Sequence, residues 1–119
     1  MNTLNLIKLE NSMISEIKNL SSQKKFLINS PLFYEGQIPI VAYLIIDGSI
    51  QLLKNSKIKK ILRAGSLIGL NELMTNSPVK FEALVQAEST LCFLDKSTIL
   101  ETLREENSSL ANLLKREEK

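Results

Sequence analysis

Between Lys24 and Asp95 the chain is a succession of short apolar stretches, each closed by turn-forming residues. KKFLIN is bounded by Ser30-Pro31, and LFYEG follows at once. VAYLII ends in Asp47-Gly48, a dipeptide suited to the positive φ angles of a tight hairpin. SIQLLKN runs to a second turn at Asn55-Ser56-Lys57, and IKKILRA carries the chain to Gly65. VKFEALVQAE alternates with a period of two, which sets Phe81, Ala83, Val85 and Ala87 on one face and Glu82 and Gln86 on the other. TLCFLD is the last run. Strands this short, spaced by turns, predict an all-β sandwich or barrel.

Only the ends read as helical. Asn11 or Ser12 is placed to cap a helix over about 11–22, with Met13, Ile14, Ile17 and Leu20 at helical spacing and Glu16 in the first turn. The Ser21-Ser22-Gln23 cluster ends it. Ser97 can cap a C-terminal helical region over about 97–118, whose apolar stripe is Leu100, Leu103, Leu110, Leu113 and Leu114. Asn107-Ser108-Ser109 divides that region, because these residues favour caps over helix interiors. The whole, 1–119, reads as a single mainly β domain: a β-roll over about 24–95 with flanking helices.

Several classes of function are disfavoured. The chain has no histidine, which removes the commonest general base and metal ligand and every Ser-His or Cys-His arrangement. Cys92 is the only cysteine, so neither an internal disulfide nor a cysteine metal cluster can form, and its apolar strand suits a core thiol. No metal site or cofactor is expected, and an enzyme is not. Fifteen basic residues against thirteen acidic ones leave a charge of +2, with lysines in scattered pairs rather than a basic stripe. The longest apolar run, Ile38–Ile46, contains Pro39 and falls short of the ~20 residues that a bilayer span needs. A cytoplasmic location is expected, since MNTLNLIKLE lacks a basic region followed by an apolar core. Tyr34 and Tyr43 are better explained by ring packing than by base stacking, Arg63 by a surface position, and Asp47 by turn chemistry.

From Gly69 to Ala87 the sequence reads GLNELMTNSPVKFEALVQA: a glycine, a short polar helix, and a proline before a strand. With LFYEG, YLIIDGSIQLLKN and AGSLIGLNEL, it resembles the cyclic nucleotide-binding domain family over roughly 11–114. Gly36, Gly48, Gly65 and Gly69 fall where that fold makes its turns. The resemblance implies a β-roll (a double-stranded β-helix or jelly roll) and a phosphate-binding cassette. In the family a glutamate after the glycine holds the ribose, amides of a short helix face the phosphate, and an arginine after the proline neutralises it.

This chain departs from that pattern at both defining positions. Leu70 stands in the glutamate's place, with Glu72 two residues on, and Phe81 stands at the arginine's position with Glu82 beside it. Losing a charge-assisted contact costs ~1.5–3 kcal/mol, and a carboxylate close to the ligand would add repulsion. Together these predict binding roughly a hundredfold weaker. The expected role is a stand-alone regulatory interaction or adaptor module with a degenerate cassette of Gly69, Leu70, Asn71, Glu72, Lys80, Phe81, Glu82 and Ala83. Its partner would be another signalling protein, and cyclic AMP or cyclic GMP would not bind in the usual way. The alternative is a sensor for a cyclic dinucleotide or apolar metabolite, with Leu70 and Phe81 as lining and Asn71, Glu72 and Lys80 as polar contacts. The C-terminal leucines Leu103, Leu110, Leu113 and Leu114 suggest a homodimer helix, the role of the corresponding helix in the family. The chain stops at KREEK without a helix-turn-helix, so DNA binding is not expected.

Overall fold

The computed structural model describes residues 7–8, 15, 19 and 22–103. Its strands are β1 (Ile7–Lys8), β2 (Ser22–Phe26), β3 (Ser30–Phe33), β4 (Val41–Asp47), β5 (Ser49–Lys54), β6 (Lys57–Arg63), β7 (Ser66–Ile68), β8 (Glu82–Val85) and β9 (Ser89–Asp95). Two helices complete it, α1 (Leu70–Thr75) and α2 (Lys96–Leu103). One sheet has the order β1-β7-β4-β9-β2 and the other β3-β8-β5-β6, with antiparallel pairing throughout. This is the β-roll that the turn spacing predicts.

The near-continuous apolar character of VAYLII follows from its position. Ala42 and Leu44 on β4 pack with Leu67, Leu70, Leu73, Cys92, Leu94 and Ile99, a cluster that brings α1 and α2 onto one side of the first sheet. Ile45 joins the second cluster, which includes Phe33, Ile50, Leu52, Val85 and Leu91 and fills the space between the sheets. Both faces of β4 are therefore covered, so alternation with polar residues would place those residues in a core. Each fully buried Leu or Ile contributes ~1.5–3 kcal/mol.

Four local expectations are corrected. Asp47-Gly48 does not close a hairpin: β4 pairs with β7 and β9, while β5 pairs with β6 and β8. Gly48, at φ 90°, is instead the corner at which the chain passes from one sheet to the other. β2 begins at Ser22, where the helix was expected to end, because Ser22 to Phe26 pair along β9. The cap of α2 is Asp95 rather than Ser97: the Thr98 amide donates to Asp95 Oδ1 at 2.7 Å. Ala87 is exposed rather than facing the core, since β8 stops at Val85. The Asn55-Ser56 turn does close a hairpin, with both residues at positive φ (54° and 65°) as a two-residue type I′ turn requires.

Ser15 and Asn19 are helical and exposed, within the expected N-terminal helix. The rest of that helix's apolar stripe lies outside the described residues, as do Leu110, Leu113, Leu114 and the Asn107-Ser108-Ser109 break. Leu103 is the last residue of α2.

Candidate functional site

The cassette opens at Gly69, whose φ of 82° turns the chain from β7 into α1. A residue with a Cβ is strained at that angle. The Leu73 amide donates to Gly69 O at 2.9 Å and closes the first helical turn. Leu70 and Leu73 are buried in the cluster that contains β4, which fixes α1 on the sheet. Glu72 is 9% exposed and Asn71 is half-buried. The helix stops at Asn76, at φ 55°, and the amides of Asn76 and Ser77 both donate to Glu72 O.

The chain is next clamped by the β3–β4 loop. Gly36 N–H donates to Val79 O at 2.8 Å, and Val79 N–H donates to Gln37 O at 2.9 Å. Val79 itself is buried between the sheets. Two backbone bonds around one buried residue hold the path from α1 to β8.

Phe81 follows, half-buried against the cluster between the sheets. Lys54, at the end of β5, places Nζ 5.7 Å from the centroid of the Phe81 ring. The same ammonium donates to Glu35 Oε2 at 2.7 Å and to Lys80 O at 3.2 Å. Lys54 and Glu35 therefore stand beside Phe81, a grouping that no sequence motif announces. LFYEG and LLKN gave no local signal of it, because only the ordering of β3, β8 and β5 in one sheet brings these residues together.

The remaining expected residues separate by face. Lys80 is exposed and contributes its carbonyl, not its ammonium. Ala83 is fully buried, paired with Phe33 on one side and Leu52 on the other. Glu82 pairs with Leu53, one position from Ala83, and so projects on the outer face of its sheet. Its carboxylate thus points away from the side on which Phe81 packs.

Elsewhere the described residues behave structurally. Tyr43 packs between Phe33, tilted at a centroid distance of 6.3 Å, and Phe93, edge-on at 5.3 Å, and burial raises its phenol pKa above the ordinary value. Cys92 is buried in the core, Tyr34 is exposed beside Gly36, and Arg63 is exposed on β6. Among the described residues no group of histidine, cysteine, aspartate or glutamate side chains could hold a metal ion. No described helix is long and apolar enough to cross a membrane.

Comparison with solved structures agrees with this architecture. A protein of a cyclic-GMP-dependent signalling pathway that regulates bacterial phytopathogenesis superposes with a TM-score of 0.79 at 15% identity, covering 92% of this chain and 89% of that one. The catabolite activator protein of Thermus thermophilus gives 0.71 at 18% identity over 92% of this chain, which spans 51% of that protein. A putative cyclic nucleotide-binding protein of Geobacter metallireducens gives 0.65 at 18% identity, covering 92% and 81%. These likenesses are of fold. No curated protein matches the sequence. The sequence model of the cyclic nucleotide-binding domain matches residues 23–106, from β2 to just beyond α2, and on that match the chain belongs to the cyclic nucleotide-binding domain family.

Proposed function

We propose that this domain is a regulatory interaction module, cytoplasmic and non-catalytic, that works through its surfaces and does not hold cyclic AMP or cyclic GMP in the family's usual manner. The observation that carries this reading is Phe81. At the position where the family's cassette presents an arginine, a phenyl ring packs into the core between the sheets. The nearest described ammonium on that ring, Lys54, is already bonded to Glu35. An ammonium shared with a carboxylate has little positive field left for a phosphate, and it lacks the two-pronged geometry of a guanidinium.

A second reading, a sensor for a different effector, draws support from the intact frame: the Gly69 turn, α1 and the Val79 clamp are all present. Thermal unfolding of the full chain separates the two. A ligand at a hundred times its dissociation constant stabilises a fold by ~2.7 kcal/mol, a rise of several degrees for a domain of this size. No shift with micromolar cyclic AMP or cyclic GMP is expected, and a clear shift with either would overturn the proposal. A shift with a cyclic dinucleotide alone would establish the sensor.

A further inference from the structure

A β-bulge in β6 decides which of its lysines share a face. Leu52 pairs with Lys60 and Leu53 with Ile58, so Lys59 is an extra residue opposite that step. In an unbroken strand Lys57 and Lys60, three apart, would face opposite sides of the sheet. The bulge reverses the alternation and sets both on one side. Lys57 pairs with Lys54, Lys60 with Leu52 and Leu62 with Ile50. Ile50, Leu52 and Leu62 are buried between the sheets, so these two lysines lie on the inner face of their sheet, toward the interior of the roll.

The inner face ends in a concentration of positive charge. The row formed by Ala83, Leu52 and Lys60 is followed, toward the hairpin turn, by Phe81, Lys54 and Lys57. Lys54 and Lys57 stand directly opposite each other, and like charges in that position repel. Glu35 answers only Lys54, at 2.7 Å. Lys57 and Lys60 are exposed, and among the described residues neither has a carboxylate partner. They sit opposite Lys54 and Leu52, alternate residues ~6.8 Å apart, so two flexible ammonium arms can meet on one group.

We propose that Lys57 and Lys60 form an anion site on the inner face of the β5–β6 hairpin, which takes the phosphate monoester group of a small molecule. Two ammoniums match a group that carries ~1.5–2 negative charges at neutral pH. Lysine holds phosphate as a point charge and does not need the fork of a guanidinium. A cyclic phosphate diester has a single charge and satisfies only one arm. The inner face turns toward the other sheet, so a small anion reaches it where a broad partner surface meets the edge of β6 first. Lys54 stays with Glu35 and is not a ligand group. The site uses no residue between Gly69 and Ala83, so it goes beyond the cassette reading and stands or falls separately.

The test titrates the isotope-labelled full chain with inorganic phosphate, adenosine monophosphate and cyclic AMP. The two nucleotides share base and sugar and differ in phosphate charge. Inorganic phosphate and adenosine monophosphate are expected to give saturable shifts of the amides from Leu52 to Leu62. Equal affinities would mean that the phosphate alone is read, and tighter binding of the nucleotide that its body adds contacts; both support the site. Binding should weaken at least ~tenfold in Lys57→Gln/Lys60→Gln, stay within about twofold in Arg63→Gln, and fall with added salt. Arg63 is the control because it pairs with Ser49 on the opposite face. All three side chains are exposed, and Lys57→Gln removes a like-charge pair, so the melting temperature should not fall and a loss of binding is not a loss of fold. No shift with either phosphate, an equal loss in Arg63→Gln, or cyclic AMP binding as tightly at these amides would overturn the proposal. So would binding confined to a phosphoserine peptide, since the site would then serve a protein partner. A cyclic nucleotide seated in the cassette would instead move amides between Gly69 and Phe81, so failure of the earlier reading gives a different pattern.

Discussion

The Ser89 hydroxyl accepts a hydrogen bond from Ser49 N–H at 3.0 Å and donates one to Ser49 O at 3.2 Å. Ser89 lies on β9 and Ser49 on β5, so one fully buried side chain ties the two sheets at the corner where the chain crosses between them. Removing the hydroxyl leaves a partly buried amide without its acceptor, a loss of ~1–3 kcal/mol. Ser89→Ala should lower the melting temperature by several degrees. An unchanged melting curve would show that water replaces the hydroxyl at no cost.

Gly48 sits directly over that bond. A Cβ added there would lie 2.6 Å from Ser89 Cα, which is backbone and cannot swing aside, and φ is 90°. Gly48→Ala is therefore expected to destabilise more than Ser89→Ala. The double variant Gly48→Ala/Ser89→Ala should recover little, because the clash is with the main chain. Urea unfolding of the three variants checks the order, and full recovery in the double variant would contradict it.

This corner shows why the sequence was legible in part. Asp47-Gly48 announces a turn, and the positive φ is there, but nothing local says whether the two flanking strands pair with each other. That depends on where β7 and β9 bring their own free edges, a contest between distant segments. The register of β8 was readable because Ala83 and Val85 are small or branched and buried, whereas Leu84 is apolar yet faces outward. TLCFLD reads as a strand that ends at Asp95, which leaves Ser97 as the cap that the sequence offers. In the structure the last strand residue is also the helix cap. The turn at Gly69 and the break at Pro78 were visible, and the alternation of VKFEALVQAE already set Glu82 opposite Phe81, but the approach of Lys54 to Phe81 required the sheet order.

Phe81 and Lys54 should differ sharply in what they contribute. Phe81→Ala removes a half-buried ring from the inter-sheet core, at a cost of about 2 kcal/mol. Lys54→Met keeps the aliphatic stem and loses an ion pair and a cation–ring contact that are both open to solvent, together ~1 kcal/mol or less. A double-mutant cycle on denaturant unfolding should give a coupling of roughly 0.5 kcal/mol. Coupling above about 2 kcal/mol would mean that Lys54 and Phe81 form a single buried unit, contrary to the exposure of the Lys54 side chain.

Tyr43 gives an alkaline signature. Burial raises the phenol pKa in the folded state, so above about pH 10 the unfolded chain releases this proton more readily than the native one. The stability from the neutral phenol is complete below the unfolded pKa and declines as pH rises through and beyond it. Tyr43→Phe keeps the ring contacts with Phe33 and Phe93 and removes the titration. Stability measured between pH 8 and about 11 should fall less steeply in Tyr43→Phe than in the wild type. Parallel curves would place the phenol in water.

Asp95 gives the acidic counterpart. Hydrogen bonds from the Thr98 amide and the Thr98 side chain hold its carboxylate below the ordinary aspartate pKa. A depressed folded pKa contributes stability above the unfolded value, and that contribution is lost as pH falls through about 4 toward the folded value. Asparagine also caps helices but does not titrate, so Asp95→Asn should keep α2 at neutral pH and flatten the acid limb of the stability curve. Asp95→Ala should weaken α2 at every pH, because the Thr98 amide then has no side-chain acceptor. Amide exchange at Thr98, followed at pH 3 and pH 7, reads the cap directly. Protection that stays high at both pH values in Asp95→Ala would show that another group caps the helix.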